Sequence, residues 1–536
     1  MDFYNKSFGF KAIINLTNKS NLITKWNKND SNEIFTEVSF SFPDWSNLRG
    51  DKYKTLTSLN NSQQELAKKN LQQWADIANI KFIEKNNEYD TDIKFGLFNN
   101  VNELINSSYY KLAGIAQFPG NETNPNKKIE KVEDYSQNGQ IWINISETNL
   151  FRWRKISELT EIQKVRVGNF KEKSDNISTY FEEKNGYISL YKNKNGTAHI
   201  ENKLSAPEKG TFKEHIYRHE IGHSLGLIHT FSNNVHEPDI EENSLKYSIM
   251  SYRYPKSEDA DFNNNYPMSP LLIDIYIIQQ FYGANMFTRT DDTVYGFYSN
   301  SQREHYSLNS PEDNIIACIW DAGGIDTLDF SQYRDDQKLD LNQGNFSDVG
   351  GLRSNVSIAY GTIIENAISG SGNDTITGND IDNYLYGNEG NDILFGHKGS
   401  DTLYGGEGSD ALYGDEDNDF LYGNSGNDIL CGGNGINELT GGEGRDIFIF
   451  RFYNESNSYD KIKDFNRNDD FIAFINESGV NLNIRNLIST REVTISLSYQ
   501  EKDNTTKLIL SKQEGLTTPT LKIDILGELS YEDLFF

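Results

Sequence analysis

The chain has few cysteines, no long apolar run and a deficit of positive charge. Only Cys318 and Cys431 are cysteines among 536 residues, which excludes a disulfide framework and a cysteine-based zinc finger. We expect both to fill core positions. The longest apolar stretch, LLIDIYII (271–278), is interrupted by Asp274 and is far shorter than the ~18 residues of a membrane-spanning helix, so it predicts a buried helix. The first residues do not resemble a secretory signal, and we expect any export to use another route.

The charge balance limits the partners. Lys and Arg number 51 and Asp and Glu 79, a formal net charge of −28. Such a chain repels nucleic-acid phosphates and anionic lipid headgroups. Its 12% aromatic residues supply enough apolar surface for folding. We therefore expect a folded monomer with no nucleic-acid partner and no membrane insertion, whose excess carboxylates suit hard cations such as calcium.

Glycine recurs at every ninth position from Gly378 to Gly441. Nine nonads cover 369–449, with Asp or Asn at the sixth position and an apolar residue at the eighth. This is the repeat pattern of calcium-binding parallel β-rolls, in which glycines permit tight turns and the eighth residue points inward. A flexible glycine-rich linker would account for the glycine but not for the apolar residue.

Some nonads depart from the pattern. Ile381 and Asp417 replace a glycine of the turn, and Asn383 and Asn437 replace its aspartate. Because these changes remove conformational freedom or a carboxylate, we expect weak or absent calcium binding at those turns.

Residues 215–230 read HIYRHEIGHSLGLIHT. On a helix, His219 and His223 share one face and can hold one ion, while Glu220 lies beside that face, in place to hold a water. Gly226 can end the helix, and the turn can return His229 as a third ligand. Three imidazoles and one open position are the donor set of a catalytic zinc site. Surface histidines on a helix would not explain this spacing, whose chance occurrence is on the order of 10⁻⁵.

A second short motif follows, SIMSY (248–252). Alone, Met250 would be read as core filler. After the histidine motif it predicts the Met-turn of metzincins, and Tyr252 follows at a spacing that could reach the metal.

The first 285 residues mix helical and strand patterns, which predicts an α+β class. A capping box from Ser62 to Glu65 is expected to open a helix that runs through Trp74 and Ala78. Alternating apolar residues predict strands at 93–97 and 141–145. Weaker alternation in 451–536 (Leu508, Leu510; Ile523, Ile525) predicts further β structure that covers the end of the roll.

At this point the chain resembles the serralysins, secreted bacterial zinc metalloproteases of the metzincin clan (peptidase family M10B). The resemblance runs from about residue 50 to the end and rests on HEIGHSLGLIH (219–229), SIMSY (248–252), YGANM (282–286), TRTDDTVYGF (288–297), WDAGGIDTLDFS (320–331), FSDVGG (346–351) and IIENAISGSGND (363–374).

The resemblance implies a multidomain fold: a 1–45 N-terminal segment that is a candidate propeptide; a 46–285 α+β metzincin zinc-protease domain; a 286–368 β linker with a first calcium site; a 369–449 all-β parallel β-roll (RTX) domain; and a 450–536 C-terminal β cap with a secretion signal.

The resemblance also implies site residues. Zinc would be held by His219, His223 and His229, with Tyr252 as a movable further ligand and Glu220 as catalytic base. Calcium would be bound in two groups. The first contains Arg289, Asp291, Thr293, Asp321, Gly323, Gly324, Asp326, Ile363 and Glu365. The second lies in the nonads and contains Gly370, Gly372, Asp374, Gly387, Glu389, Gly390, Asp392, Gly396, Lys398, Gly399, Asp401, Gly405, Gly406, Glu407, Gly408, Asp410, Asp419, Gly423, Gly426 and Asp428.

The partners implied are protein or peptide substrates, a bacterial type I (ABC) exporter that reads an uncleaved C-terminal signal, and a small protein inhibitor. An edge strand near 116–118 would pair with extended substrate. Thr230 stands where the family usually has Pro, and 153–205 has no clear counterpart in the family. We expect that segment to be a solvated surface loop without a role in catalysis.

The sequence therefore predicts a secreted, calcium-stabilised zinc endopeptidase. An RTX adhesin or toxin with an inactive protease domain is the alternative, but every expected ligand and the base are present, and no membrane-active apolar region exists. A purely structural calcium-binding surface protein would leave the histidine motif unexplained.

Overall fold

The computed structural model describes residues 34–44, 56–85, 91–98, 114–116, 140–144, 154–155, 179–184, 187–194, 197–198, 208–230, 242–255, 260–451, 459–475, 493–512, 520–527 and 529. They fall into two compact units, one within 24–72 and 81–226 and the other within 73–80 and 227–536. The five segments expected from the sequence divide the chain differently, and their boundaries stay predictions. No helix in the described part is long and apolar enough to cross a membrane.

The helix predicted near Trp74 is α1 (Asn61–Ile77), and Trp74 is fully buried. Its cap differs from the prediction. Asn60 and Gln63 form the reciprocal pair: the Asn60 amide donates to Gln63 Oε1 and the Gln63 amide to Asn60 Oδ1, both at 3.0 Å. Asn60 competes well for the N-cap position because its short side chain accepts this bond as readily as serine does.

The first unit contains a six-stranded sheet with the order β3-β1-β4-β6-β5, in which β2 pairs with β4. Strands β1, β4 and β6 are parallel, and β5 is antiparallel to β6 at the end of the sheet. The strands predicted at 93–97 and 141–145 are β4 and β6, apart from residue 145, which lies outside the described residues. The bounds are β1 (Thr36–Ser41), β2 (Leu56–Thr57), β3 (Ile80–Glu84), β4 (Ile93–Phe98), β5 (Gly114–Ala116) and β6 (Gln140–Asn144).

The segment 153–205 is not the loop that we expected, because its described residues form an antiparallel four-stranded sheet with the order β10-β9-β8-β7. These strands are β7 (Arg154–Lys155), β8 (Thr179–Lys184), β9 (Tyr187–Lys194) and β10 (Thr197–Ala198). The sequence carries the signal: Asn-Gly joins β8 to β9 and again β9 to β10, and this dipeptide favours tight hairpins. The high polarity of the segment concealed it.

Two further helices carry the sequence motifs. Helix α2 (Phe212–Ser224) contains the first two histidines of the metal motif. Helix α3 (Leu272–Tyr282) is the predicted apolar helix and is largely buried, including Asp274. Both cysteines are buried and neither forms a disulfide.

Most of the second unit is parallel β structure. An eleven-stranded sheet has the order β11-β13-β17-β19-β21-β23-β25-β27-β31-β30-β29, a seven-stranded sheet the order β14-β18-β20-β22-β24-β26-β28, and β12-β16-β15 form a small sheet.

The strand bounds to residue 368 are β11 (Val294–Gly296), β12 (Ala317–Ile319), β13 (Thr327–Asp329), β14 (Lys338–Asp340), β15 (Phe346–Ser347), β16 (Val356–Ile358) and β17 (Asn366–Ile368). In the nonads they are β18 (Thr375–Thr377), β19 (Tyr384–Glu389), β20 (Ile393–His397), β21 (Thr402–Glu407), β22 (Ala411–Asp415), β23 (Phe420–Ser425), β24 (Ile429–Gly433), β25 (Glu438–Glu443) and β26 (Ile447–Arg451). The remainder are β27 (Tyr459–Ile462), β28 (Phe471–Ile475), β29 (Val493–Gln500), β30 (Thr505–Lys512) and β31 (Thr520–Leu526).

Successive nonads alternate between the two large sheets. Leu385 pairs in register with Leu403 on one sheet, and Leu394 pairs with Leu412 on the other. The apolar residues at the eighth position are fully buried, as their spacing predicts. Neighbouring strands within a sheet are therefore two nonads apart, an arrangement compatible with the predicted parallel β-roll.

The C-terminal strands extend this architecture. Strand β31 continues the eleven-stranded sheet in parallel, and β30 and β29 add to it as antiparallel strands. The alternating pair Leu508 and Leu510 and the pair Ile523 and Ile525 are buried in β30 and β31, as predicted.

Two neighbouring residues of β20 test the core of these sheets. Leu394 is fully buried, whereas Ile393 is 40% exposed. We expect Leu394→Ala to lower the free energy of unfolding by about 2–5 kcal/mol, because it leaves a cavity in close-packed surroundings. Urea denaturation in calcium would measure this, with Ile393→Ala as the matched control. Equal losses for the two variants would contradict the assigned orientation.

Candidate metal centre

Local interactions position helix α2. Thr211 caps it by accepting a hydrogen bond from the Glu214 amide, and Glu214 Oε2 accepts one from the Gly210 amide. Glu214 also forms a buried ion pair with Arg218, one turn on, at 2.9 Å. The helix ends at Ser224, and Gly226 adopts a φ of +105°, which favours glycine. The chain therefore turns where the sequence predicts, three residues before the third histidine.

Within this continuous segment the three histidines come together. Each of His219, His223 and His229 offers one ring nitrogen, and these three atoms lie within 4.8 Å of one another. The rings of His219 and His223 are 4.7 Å apart and nearly perpendicular. The first two are buried and the third is half-buried. Three converging imidazole nitrogens with access to solvent are the donors that zinc takes in catalytic sites.

Glu220 lies beside the histidines in sequence and is almost fully buried. Burial raises the pKa of this carboxyl to about 8. Its Oε2 atom has no hydrogen-bond partner in the described part of the chain. A buried, unsatisfied carboxylate oxygen is costly unless it meets a proton, a water or a cation, so it fits a role next to a bound metal and a reacting water.

The turn that contains Met250 is held by Asp274 of helix α3. Asp274 Oδ1 accepts a hydrogen bond from Ser248 Oγ at 2.6 Å, and Oδ2 accepts from the amides of Ile249 and Leu271, both at 2.8 Å. Burial raises the pKa of Asp274 to about 6. Sequence reasoning assigned Asp274 no role, although its presence in an otherwise apolar run was a usable signal.

Tyr252 lies at the end of the same turn. Its ring is 4.4 Å from that of His229, and its side chain is 61% exposed. The phenol is therefore next to one predicted metal ligand, as the spacing of the motifs suggests. Met250 itself is buried.

The first predicted calcium site is a cluster of carboxylates. The Asp326 amide donates to Glu365 Oε2 at 2.6 Å, and the Thr293 amide donates to Asp326 Oδ1 at 2.8 Å. Burial and the neighbouring charges of Asp321 and Glu365 raise the pKa of Asp326. Its Oδ2 atom has no partner among the described residues. Such mutual repulsion is relieved by a bound cation.

Other residues predicted for this site differ in role. The Arg289 side chain pairs with Asp76 at 3.2 Å, so only its carbonyl could serve as a ligand. Ile363 is 52% exposed. At Gly324, with a φ of +133°, a Cβ would lie 2.7 Å from the carbonyl oxygen of Asp291. Glycine is therefore required for these two segments to approach each other.

In six of the nonads, the buried aspartate at the sixth position uses one oxygen and leaves the other unpaired. The Asp392 amide donates to Asp410 Oδ1, and the Asp410 amide donates to Asp428 Oδ1, both at 2.8 Å. The Oδ2 atoms without a partner in the described part belong to Asp392, Asp401, Asp410, Asp419, Asp428 and Asp446. Burial raises the pKa of Asp401 to about 7 and that of Asp419 to about 8. A row of unsatisfied carboxylate oxygens fits calcium.

The glycines of the turns make room for these oxygens. At Gly405, a Cβ would lie 2.3 Å from Asp410 Oδ2, and the other glycines at this position show the same close approach. Of the remaining predicted ligands, Lys398 forms an exposed ion pair with Asp380 and could contribute only its carbonyl. Asp374 differs from its counterparts, since both of its oxygens accept amide hydrogen bonds.

The asparagine substitutions behave differently from the aspartates. Asn383 Nδ2 donates to the carbonyl oxygen of Glu365 at 3.0 Å, and Asn437 Nδ2 donates to Asp460 Oδ1 at 2.8 Å. The amide nitrogen of Asn437 thus occupies the place that the unpaired Oδ2 has in the aspartate turns, a donor where calcium needs an oxygen. In Asn383 that place is taken by Oδ1, which accepts a hydrogen bond from the Asn379 amide at 2.8 Å.

Two family models match two successive regions of the chain. The family model described as Matrixin matches residues 45–261, and the model described as Peptidase M10 serralysin C terminal matches residues 284–536. A matrixin domain with three convergent histidines followed by this C-terminal domain defines a metalloprotease architecture.

Individual serralysins are also similar to parts of this chain. Serralysin B of Dickeya chrysanthemi is 49% identical over 32% of this chain and 37% of its own length. Serralysin of Proteus mirabilis is 36% identical over 65% of this chain and 60% of its own length. The AlgE6R2 subunit of the Azotobacter vinelandii mannuronan C5-epimerase, a solved structure, is 26% identical over 30% of this chain and 92% of its own, with a TM-score of 0.20.

Both matching models describe parts of M10 peptidases, and both relatives are serralysins, so the chain is similar to serralysin-type M10 metalloproteases over most of its length. The matched regions span between about a third and three fifths of the length of these two relatives.

Asp274→Ala tests the support of the Met-containing turn. We expect it to lower the free energy of unfolding by about 3 kcal/mol, since three buried donors lose their acceptor. Asp261→Ala is the control, because Asp261 is exposed and its Oδ1 atom accepts a local hydrogen bond from the Asn263 amide at 2.9 Å. Urea denaturation would measure both variants. A loss no larger than that of the control would show that Asp274 does not hold the turn.

Proposed function

We propose that this protein is a calcium-stabilised zinc metalloendopeptidase that hydrolyses peptide bonds of extracellular proteins. The convergence of His219, His223 and His229 is the observation that carries this proposal. The matches to the two models support it, because M10 proteases are zinc-dependent. The presence of Glu220 and of all three histidines speaks against the alternative of an inactive protease domain.

The site residues fit a zinc ion. Three imidazole nitrogens within 4.8 Å of one another provide neutral donors, and the unpaired Oε2 of Glu220 provides a proton acceptor. When bound, zinc would polarise the scissile carbonyl and lower the pKa of the attacking water.

The chain's own residues carry out the remaining chemistry. Glu220, buried next to His219 in the chain, takes the proton of the attacking water and delivers it to the leaving amine. The hydroxyl of Tyr252, on an exposed side chain next to His229, donates a hydrogen bond to the oxyanion as it develops. No covalent intermediate with the protein is required.

An extended substrate would bind along the sheet edge. Strand β5 is the terminal strand of its sheet in the described part, and it lies beside α2 within the same unit. A substrate strand can satisfy the unpaired backbone groups of such an edge. This supports the predicted position of the substrate near Ala116, while residues 117 and 118 lie outside the described residues.

The carboxylate clusters give calcium a structural role. Without a cation, the buried oxygens of the nonads and of the cluster around Asp326 remain unsatisfied and repel one another. Calcium would remove both penalties, so its binding free energy contributes to folding. This supports the RTX β-roll and its C-terminal cap as calcium-dependent elements.

The resemblance to serralysins also suggests a route of export and a further protein partner. We propose secretion by a bacterial type I (ABC) exporter that reads the C-terminal segment, and a small protein inhibitor as a further partner. These assignments rest on the resemblance of the chain to serralysins rather than on any single contact.

Glu220→Gln tests the mechanism. Removing the general base should lower kcat on casein or a fluorogenic peptide by about 10²–10⁴-fold, while zinc content stays at one per chain. The control is Glu208→Gln, which changes an exposed glutamate twelve residues upstream. Undiminished hydrolysis by the Glu220 variant would refute the assigned role.

Calcium removal tests the structural role. In excess EDTA the second unit should lose much of its β circular dichroism, and calcium, but not magnesium, should restore it, because the sites present several carboxylate and carbonyl oxygens in a flexible arrangement. The loss should be partial, since the first unit contains no nonads. A spectrum unchanged by EDTA would be inconsistent with calcium-driven folding.

A further inference from the structure

Asn243 links the segment after the third histidine to the segment before Tyr252. Its Oδ1 atom accepts a hydrogen bond from Thr230 Oγ1 at 2.9 Å and another from Ser251 Oγ at 3.0 Å. Thr230 directly follows His229, and Ser251 directly precedes Tyr252. One carbonyl oxygen thus connects two positions that are far apart in the chain but next to the metal-site side chains.

All three members of this bridge are buried: Thr230 is 5% exposed, Asn243 7% and Ser251 1%. Buried hydroxyl groups are retained at low cost only when their hydrogen bonds are made, so the bridge has one favourable arrangement. The asparagine oxygen uses both of its lone pairs on the two hydroxyls.

The bridge also restrains the backbone around Tyr252. Ser251 Oγ, besides donating to Asn243, accepts a hydrogen bond from the Arg253 amide at 3.1 Å. The Arg253 carbonyl in turn accepts from the Leu245 amide at 2.8 Å. The backbone on both sides of Tyr252 is therefore held, while its side chain remains 61% exposed with its ring 4.4 Å from that of His229.

We propose that Asn243 is a positioning residue that sets the place of the Tyr252 hydroxyl relative to His229. This inference rests on the proposed peptidase function, in which Tyr252 stabilises the oxyanion. Asn243 acts through Thr230 and Ser251 and does not itself contact the reacting groups. Because the two hydroxyls share one acceptor, a shift of either segment is transmitted to the other.

The bridge depends on the hydroxyl of Thr230. Valine keeps the shape of this side chain but cannot donate to Asn243, so Thr230→Val removes this bond selectively.

The test uses the full chain with calcium and compares Thr230→Val, Thr230→Ser and Ser251→Ala with the wild type. Thr506→Val is the matched control: Thr506 is buried in β30 and its hydroxyl donates to the Gly527 carbonyl at 2.7 Å, away from the histidine segment in sequence. Steady-state kinetics on a fluorogenic peptide separate kcat from KM. The absorption spectrum of the Cu²⁺-loaded protein reports a tyrosinate that reaches the metal, with Tyr252→Phe as the blank.

We expect Thr230→Val and Ser251→Ala to lower kcat by about 10-fold, a typical size for removing a group that orients a metal-site residue, with KM within about twofold. Both should weaken the tyrosinate band. Thr230→Ser, which keeps the hydroxyl, should restore both readouts, and Thr506→Val should leave them unchanged.

Two results would overturn the inference, and a second variant covers the case in which Thr230→Val does not fold. If Thr230→Val retains the kcat and the band of Thr506→Val, the bridge only stabilises the fold. If Thr230→Val does not fold, Ser251→Ala decides by the same readouts. If the wild type neither binds zinc nor hydrolyses the peptide, the proposed function itself is wrong and the inference is overturned with it, which distinguishes the two failures.

Discussion

The buried carboxylates of the nonads are the constraint on which the second unit depends. From Asp392 to Asp446, the aspartate at the sixth position directs Oδ1 to the backbone amide of the residue eighteen positions earlier and leaves Oδ2 unsatisfied. The first interaction sets the register of neighbouring strands, because a shift by one residue would break every bond of the row. The second makes the folded state incomplete without a cation or a proton. Register and metal dependence therefore arise from the two oxygens of the same side chain.

The histidine segment shows a different balance of local and distant interactions. Its capping by Thr211, its buried Glu214–Arg218 pair and its glycine turn are all encoded within 208–226. The groups that complete the centre are distant. Asp274 lies on another helix, and Asn243 lies in a separate segment from Thr230. A metal centre of this kind is built by a locally specified ligand segment and by supporting residues that only the folded chain assembles.

The features most accessible from the sequence were periodic. The nine-residue repeat, the four-residue spacing of His219 and His223 and the apolar run each predict a particular arrangement. The described residues are compatible with all three. The errors occurred where two local signals competed. Asn60 caps α1 in place of Ser62, since both are good caps and only packing selects between them. The strands of 153–205 were missed because polar composition was given more weight than two Asn-Gly dipeptides.

The sequence by itself determined the kinds of site. The spacing of the residues that form them follows the helical period or the nonad period, and short segments obey these periods. Only the tertiary structure decided which oxygen of each aspartate is left unpaired, that Asp274 holds the Met250 turn, and that Asn243 joins Thr230 to Ser251. The bonds of Asp274 to the Met250 turn and of Asn243 to its two hydroxyl partners join residues eight to 26 positions apart. These pairings leave no period in the sequence, because they depend on how whole segments pack.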